Sequence, residues 1–275
     1  MDLSDRILVF GDNIHEALWG REKWLASAHP AGESVVAEGK FAGRKLGEIV
    51  PGFPLLFKEI DAKTRLSVQV HPNEATAPAT GGSPKTEMWC MLDDGFVYAG
   101  LKDGVSPSDI DRAVADGSFE ELLVRYDLKA GECVFIPGGL VHAIGDSTRL
   151  YEVQQSSDTT FRLYDWDRIG ADGRKRELHV EKALKAIDYS LRPPVPSRDV
   201  KCPFFDFRRV AVKGAAEFPG EGFTAFRAFR GAFSVGGREF PEGSDALVLG
   251  GGPFTVESGG CEILATSFRR RFHAH

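Results

Sequence analysis

The sharpest pattern in the chain lies between Leu66 and His71. The run Leu66-Ser-Val-Gln-Val-His71 alternates with a period of two, as a half-buried strand does, with Leu66, Val68 and Val70 on one face and Ser67, Gln69 and His71 on the other. The next fifteen residues, 72–86, are rich in Pro, Gly and Thr and predict a loop. Strand character resumes at Glu87 to Leu92, Gly131 to Ile136, Leu150 to Val153 and Thr159 to Tyr164. Two helix starts interrupt the strands: Ser106-Pro-Ser-Asp109 has a cap, a proline at the first helical position and an acid at the third, and Ser118-Phe-Glu-Glu121 repeats the capping pattern. A helix over Val180 to Tyr189 closes this region. The first fifty residues hold few clean strands, although Trp19, Trp24 and Phe53-Pro-Leu-Leu-Phe57 offer apolar surface.

Three prolines in Leu191-Arg-Pro-Pro-Val-Pro-Ser197 predict a linker. Beyond it, Phe204 to Val212, Phe223 to Phe229, Phe233 to Val235, Ala246 to Leu249 and Glu262 to Ala265 predict a second set of strands separated by Gly-rich turns. The expected fold class is therefore mainly β, with helical insertions. Residues 1–192 are expected to form a catalytic domain, and residues 198–275 a smaller C-terminal β-sandwich or barrel.

Composition narrows the function. The 275 residues carry 34 basic and 40 acidic side chains, a net charge of −6, so no overall positive field exists to hold nucleic acid or an anionic membrane. An anionic ligand would need local positive charge. The N-terminus has only a short apolar stretch, Ile7 to Phe10, too brief for a signal sequence or a spanning helix, and a cytoplasmic location is expected. Four widely spaced cysteines, Cys90, Cys133, Cys202 and Cys261, fit reduced structural thiols.

The chemistry concentrates in four residues. Gly131-Glu-Cys-Val-Phe-Ile-Pro137-Gly-Gly139-Leu-Val-His142-Ala-Ile-Gly-Asp146 runs a strand into a tight turn and leaves it carrying a histidine. This spacing resembles the second motif of the cupin superfamily, with Asp146 where Asn is usual. Gln69-Val-His71 and Glu87 take the place of the first motif, with Gln in place of its first His. The resemblance implies a jelly-roll barrel and a divalent metal held by Gln69, His71, Glu87 and His142. Such a mixed N/O set suits zinc, manganese, iron or nickel rather than an all-thiolate site. His15, His29, His179, His273 and His275 have no such context, and the Arg269-Arg-Arg-Phe-His-Ala-His275 tail reads as a solvated end.

Three stretches narrow the resemblance further: Leu66 to Pro72, Pro84-Lys-Thr-Glu-Met-Trp89, and Val141-His-Ala-Ile-Gly145 followed by Glu152 to Trp166. Together they resemble type I phosphomannose isomerases (mannose-6-phosphate isomerases) in their short bacterial form. The resemblance implies one zinc per chain, a catalytic Arg162, an acidic Glu152 in the same pocket, and Ser67 and Lys85 facing a sugar phosphate. It also implies proton transfer between C1 and C2 through an enediol, for which Glu152, a metal-bound water or a group positioned by Arg162 could each serve as base. The chain departs from longer relatives at Ile144, where tyrosine often stands, and at Arg168, where lysine is common.

Two other readings keep the barrel. A cupin-type iron dioxygenase needs coordination positions open to oxygen and usually binds iron through three histidines or two with a carboxylate, and the presence of Gln69 weighs against it. A non-catalytic sugar-phosphate-binding cupin would need a DNA-binding or signalling module, and the C-terminal part shows no basic recognition helix. A small-molecule sugar phosphate is thus the expected partner, without nucleic acid or membrane, and the sequence leaves the oligomeric state open.

Overall fold

The computed structural model of the chain describes residues 1–170 and 173–268, so the expectation for the tail 269–275 lies outside the described residues. The chain divides into two compact units. One comprises Ile14–Lys23 and Phe57–Ser197, the other Met1–Asn13, Trp24–Leu56 and Arg198–His275.

The first unit is built from two sheets. A five-stranded sheet runs in the order Phe161–Tyr164, Val68–Val70, His142–Ile144, Gly95–Leu101 and Leu123–Leu128, antiparallel at every pairing. A six-stranded sheet runs in the order Ile14–Ala17, Gly20–Ser27, Leu55–Ala62, Thr148–Gln155, Glu87–Met91 and Cys133–Ile136, and its second and third strands belong in part to the other unit. A core containing Ile60, Trp89, Met91, Val134, Ile136 and Leu150 from the larger sheet and Val97, Ala99 and Ile144 from the smaller joins the inner faces. This is the mainly β architecture that the strand pattern predicts and the barrel that the cupin resemblance implies.

Alternation explains which side chains face inward. Val68, Val70, Ala143 and Phe161 pack outward against Ile110 and Ala113 of the helix Pro107–Asp116 and Ala183 and Ala186 of the helix Val180–Ala186. Gln69 and His142, at the intervening positions, are therefore left to the barrel interior. Leu66 departs from its expected face: strand pairing begins only at Val68, and Leu66 joins Trp19 and Ile144 in the interior core. The helix at Ser106 forms with its expected cap, Ser106 accepting from the Asp109 backbone N–H while the Asp109 carboxylate accepts from Ser106. The start at Ser118 yields only the single 3-10 turn Phe119–Leu122 before the strand Leu123–Leu128 takes over. Residues 72–86, expected to be irregular, include the one-turn helix Ala77–Thr80, held by Asn73 and Thr76.

In the second unit, eight strands join one hydrogen-bonded sheet around a phenylalanine-rich core that includes Phe218, Phe226, Phe233, Phe240 and Phe254. Ile7–Leu8 pairs with Asp245–Leu249, so the N-terminal segment completes a sheet otherwise made by the C-terminal residues. No helix among the described residues is long and apolar enough to cross a membrane.

Two glycines set the turn that delivers His142. The Gly139 N–H donates to the His71 carbonyl at 2.7 Å, with φ of +98°, a conformation that costs glycine little. A Cβ on Gly138 would stand 2.7 Å from the Pro72 carbonyl oxygen and 2.9 Å from Asn73 Cα. Gly138→Ala is expected to lower unfolding free energy by about 1–3 kcal/mol through this overpacking, measured as a shift of the urea midpoint at constant slope.

Candidate metal centre

Strand register assembles the centre. Gln69 pairs with His142 on one side and with Arg162 on the other, so three adjacent strands place Arg162, Gln69 and His142 in one row. His71 follows Gln69 at the strand's end. Glu87 opens the strand opposite Gln154, and Glu152 stands opposite Trp89 on the same pair of strands. His71, Glu87 and His142 are buried, and each offers a ligand atom within 4.8 Å of the others.

The proton positions on the imidazoles are dictated by their anchors. His71 Nδ1 lies 2.8 Å from the Thr159 carbonyl and His142 Nδ1 2.8 Å from the Leu140 carbonyl. A carbonyl oxygen only accepts, so each Nδ1 carries the hydrogen and each Nε2 presents a lone pair. These lone pairs face one another at 3.2 Å. Glu87 adds Oε2 at 3.4 Å from His71 Nε2 and Oε1 at 3.5 Å from His142 Nε2, and neither carboxylate oxygen is held by a backbone or uncharged donor. The Gln69 amide approaches His142 Nε2 at 3.3 Å, and a half-turn of that amide offers its oxygen instead.

Acceptors crowded together out of water repel unless a cation lies among them. Ligands about 2.1 Å from a tetrahedral zinc ion stand about 3.4 Å from each other. The donor spacings of 3.2 to 3.5 Å match that edge length. The residues present therefore fit a small divalent ion.

Cationic side chains surround the donors. The Lys85 ammonium lies 2.8 Å from Glu87 Oε2 and 3.0 Å from His71 Nε2, so Lys85 reaches into the cluster itself. Burial alone would raise the Glu87 carboxyl, but Lys85 and the two histidines hold it well below the usual range. Burial and then Lys85 push His71 down to about 3, and burial lowers His142.

Glu152 is nearly dry. Its Oε2 accepts from Trp89 Nε1 at 2.8 Å, and its Oε1 accepts no hydrogen bond. Burial and the charge of Glu87 raise its carboxyl, against Lys58 and Lys85. Arg162 is about half-buried: Nη1 donates to the Glu177 carbonyl at 2.8 Å, and Nε is buried without a partner. His179, assigned no chemistry from sequence, exchanges backbone-level hydrogen bonds with Arg162, accepting its N–H at Nδ1 and donating to its carbonyl. Ser67 is buried just ahead of its strand. Lys58 and Glu22, which the sequence reading passed over, lie beside Glu152. Their only signal is a lysine interrupting the apolar run Leu55-Leu-Phe57.

The chain is 38% identical over 207 residues to the mannose-6-phosphate isomerase ManA of Bacillus subtilis, a match covering 69% of this chain and 64% of that protein. It is 33% identical over 291 residues to the mannose-6-phosphate isomerase of Streptococcus mutans, covering 94% and 91% of the two chains. The crystal structure of a Bacillus subtilis mannose 6-phosphate isomerase superposes with a TM-score of 0.83 at 25% identity, over 96% of this chain and all of that one. A mannose 6-phosphate isomerase bound with zinc and yttrium superposes at 0.70 with 14% identity, over 96% of this chain and all of that one. No protein-family model matches the chain.

Two measurements follow from the donor geometry. At a free zinc concentration about 100-fold above its dissociation constant, linkage stabilises the fold by about 2.7 kcal/mol, seen as a rise in Tm that His142→Ala abolishes. In chelated protein, the unfolded chain takes up a proton on His71 near pH 6.5 that the folded chain refuses until about 3. Stability should fall as pH drops through that window, by about 1.4 kcal/mol per pH unit for one such group. The lowered His142 and Glu87 act in the same direction. Urea midpoints independent of pH over this range would show that the imidazoles charge without cost.

Proposed function

The chain belongs to the mannose-6-phosphate isomerase family, and we propose that it interconverts mannose 6-phosphate and fructose 6-phosphate through Arg162, Glu152 and a metal held by Gln69, His71, Glu87 and His142. The observation that carries this reading is the set of buried donors at tetrahedral spacing, with Arg162 in register beside Gln69. Zinc suits the mixed imidazole, carboxylate and amide set, and a relative of the same fold is bound with zinc. When bound, the ion supplies Lewis-acid stabilisation of the negative charge that develops on the sugar oxygens.

The chain's own residues supply the rest. Aldose and ketose differ by a proton moved between C1 and C2, so a base must face those carbons. Glu152 has the qualities required: one oxygen fixed by the Trp89 indole, the other free to accept, and a carboxyl raised by burial. A carboxyl shifted toward the working pH takes and returns a proton more readily than an exposed one. Lys85, with its ammonium at the donor cluster, stands at the reacting end of the sugar and stabilises enediolate charge. Arg162, whose Nε has no partner, offers its planar fork to substrate oxygens. Ser67, buried just ahead of the strand that carries Gln69, is the hydroxyl assigned to the sugar phosphate by the family resemblance. The iron-oxygenase and binding-protein readings fall away, since a relative matched over 94% of the chain is a mannose-6-phosphate isomerase. A phosphate dianion does not cross a bilayer unaided, which fits a cytoplasmic enzyme.

The test is turnover of either sugar phosphate by purified protein, before and after chelation. Activity is expected to vanish with the metal and return with zinc. Arg162→Ala should lower kcat by about 10²- to 10³-fold, the usual cost of losing one donor to a developing charge, with metal content unchanged. A metal-replete, folded protein inert toward both sugars would overturn the reading.

A further inference from the structure

One buried charge beside the centre has no place in the roles above. Lys58 sits on the strand Leu55–Ala62, where its neighbours Phe57 and Ile60 are buried and it is itself only 7% exposed. Its Nζ lies 3.1 Å from Glu22 Oε2 and 3.3 Å from Glu152 Oε1. Burial opposes the ammonium, yet Glu22 and Glu152 together outweigh it and keep Lys58 charged. A buried ion triad of this kind adds little net stability compared with apolar residues of the same size. Its value must lie in what it does to one of its members.

Glu152 is that member. Trp89 Nε1 holds Oε2 at 2.8 Å, which fixes one edge of the carboxylate. Lys58 stands by the other oxygen without satisfying it, since Oε1 accepts no hydrogen bond. The ammonium thus supplies charge beside the accepting oxygen and leaves a lone pair free. Without it, the carboxylate would face the charge of Glu87 and the apolar barrel with only the more distant Lys85 charge and the Trp89 indole to hold it. Glu22, about one-fifth exposed, anchors the ammonium from the far side.

We infer that Lys58 is a positioning residue for the isomerase reaction, acting through Glu152 by holding its carboxylate charged and oriented while Glu22 holds Lys58. The inference rests on the isomerase reading, and the two fail separately: wild-type protein without turnover sinks that reading, whereas the variants below address Lys58 alone.

The experiment compares kcat, KM, bound zinc and Tm for wild type, Lys58→Met, Lys58→Arg, Glu152→Gln and the Lys58→Met/Glu152→Gln double variant. Lys58→Met is expected to lower kcat by about 10²-fold, as a misplaced catalytic group does, with KM and zinc content close to wild type. Lys58→Arg, which keeps the charge, should recover most of that loss. In the Glu152→Gln background, assayed at high enzyme concentration, adding Lys58→Met should cost almost nothing further, because residues acting as one unit are not additive. If Lys58→Met does not fold, Glu22→Gln reads the same coupling, with a kcat loss that disappears in Glu152→Gln. Full kcat in Lys58→Met, losses that multiply independently in the double variant, or a loss that Lys58→Arg fails to rescue would each overturn the inference.

Discussion

Everything in the barrel unit is arranged around acceptors that have no hydrogen to share. Two imidazoles, each committed at Nδ1 to a backbone carbonyl, turn their lone pairs toward each other at 3.2 Å and toward a carboxylate that no backbone or uncharged donor holds. In an interior closed by Trp89, Ile144 and Leu150, such a cluster is tolerable only with positive charge inside it. The Lys85 ammonium and, one step away, Lys58 meet part of that demand, and the donor set fits a small divalent ion for the rest. The centre is thus specified by what it lacks, and the backbone carbonyls of Thr159 and Leu140 enforce the lack by fixing the tautomers.

Sheet geometry makes this arrangement rigid. A strand slip of one residue at Val68–Val70 would send Gln69 outward and Val68 into the donor cluster. The slip is blocked because Val68 and Val70 are committed to the helices Pro107–Asp116 and Val180–Ala186 on the outer face. Arg162 gains its place in the same way: it is opposite Gln69, and the register shifts only after it, between Arg162 and Tyr164. His179 then ties the Arg162 backbone to the start of the helix Val180–Ala186. Packing on the outside of the sheet therefore determines chemistry on the inside.

This division explains what the sequence made legible. Gln69 and His71 were visible because a period of two states which face a residue occupies. His142 was visible because its turn needs Gly138 and Gly139, which leave a recognisable spacing. Lys58 and Glu22 were invisible because a lysine in Leu55-Leu-Phe-Lys-Glu-Ile reads as the point where a strand meets water, and only tertiary pairing with Glu152 buries it. Leu66 misled because alternation was extended past the start of the regular strand at Val68, although the Leu66 N–H still donates to the Ile144 carbonyl. The pairing of Ile7–Leu8 with Asp245–Leu249 joins residues more than two hundred positions apart, and nothing local in either segment announces a partner. Local periods report local faces, and long-range ion pairs and sheet edges leave no trace in them.

The charge of the whole chain sharpens the last point. At −6 the protein repels a sugar phosphate at long range, so recognition depends on cations placed where water is scarce and screening is weak. Lys85 and Lys58 are buried and Arg162 is half-buried. Each is compensated in the resting site by a neighbour: Glu87 for Lys85, Glu22 and Glu152 for Lys58, and the Glu177 carbonyl for one arm of Arg162. Their fields are therefore poised rather than spent. On the proposed reaction, enediolate charge would develop beside carboxylates that already have these ammonium groups next to them, and little reorganisation would be needed. An acidic chain and a cation-lined interior are then consistent with one another, since the buried cations act where solvent does not screen them.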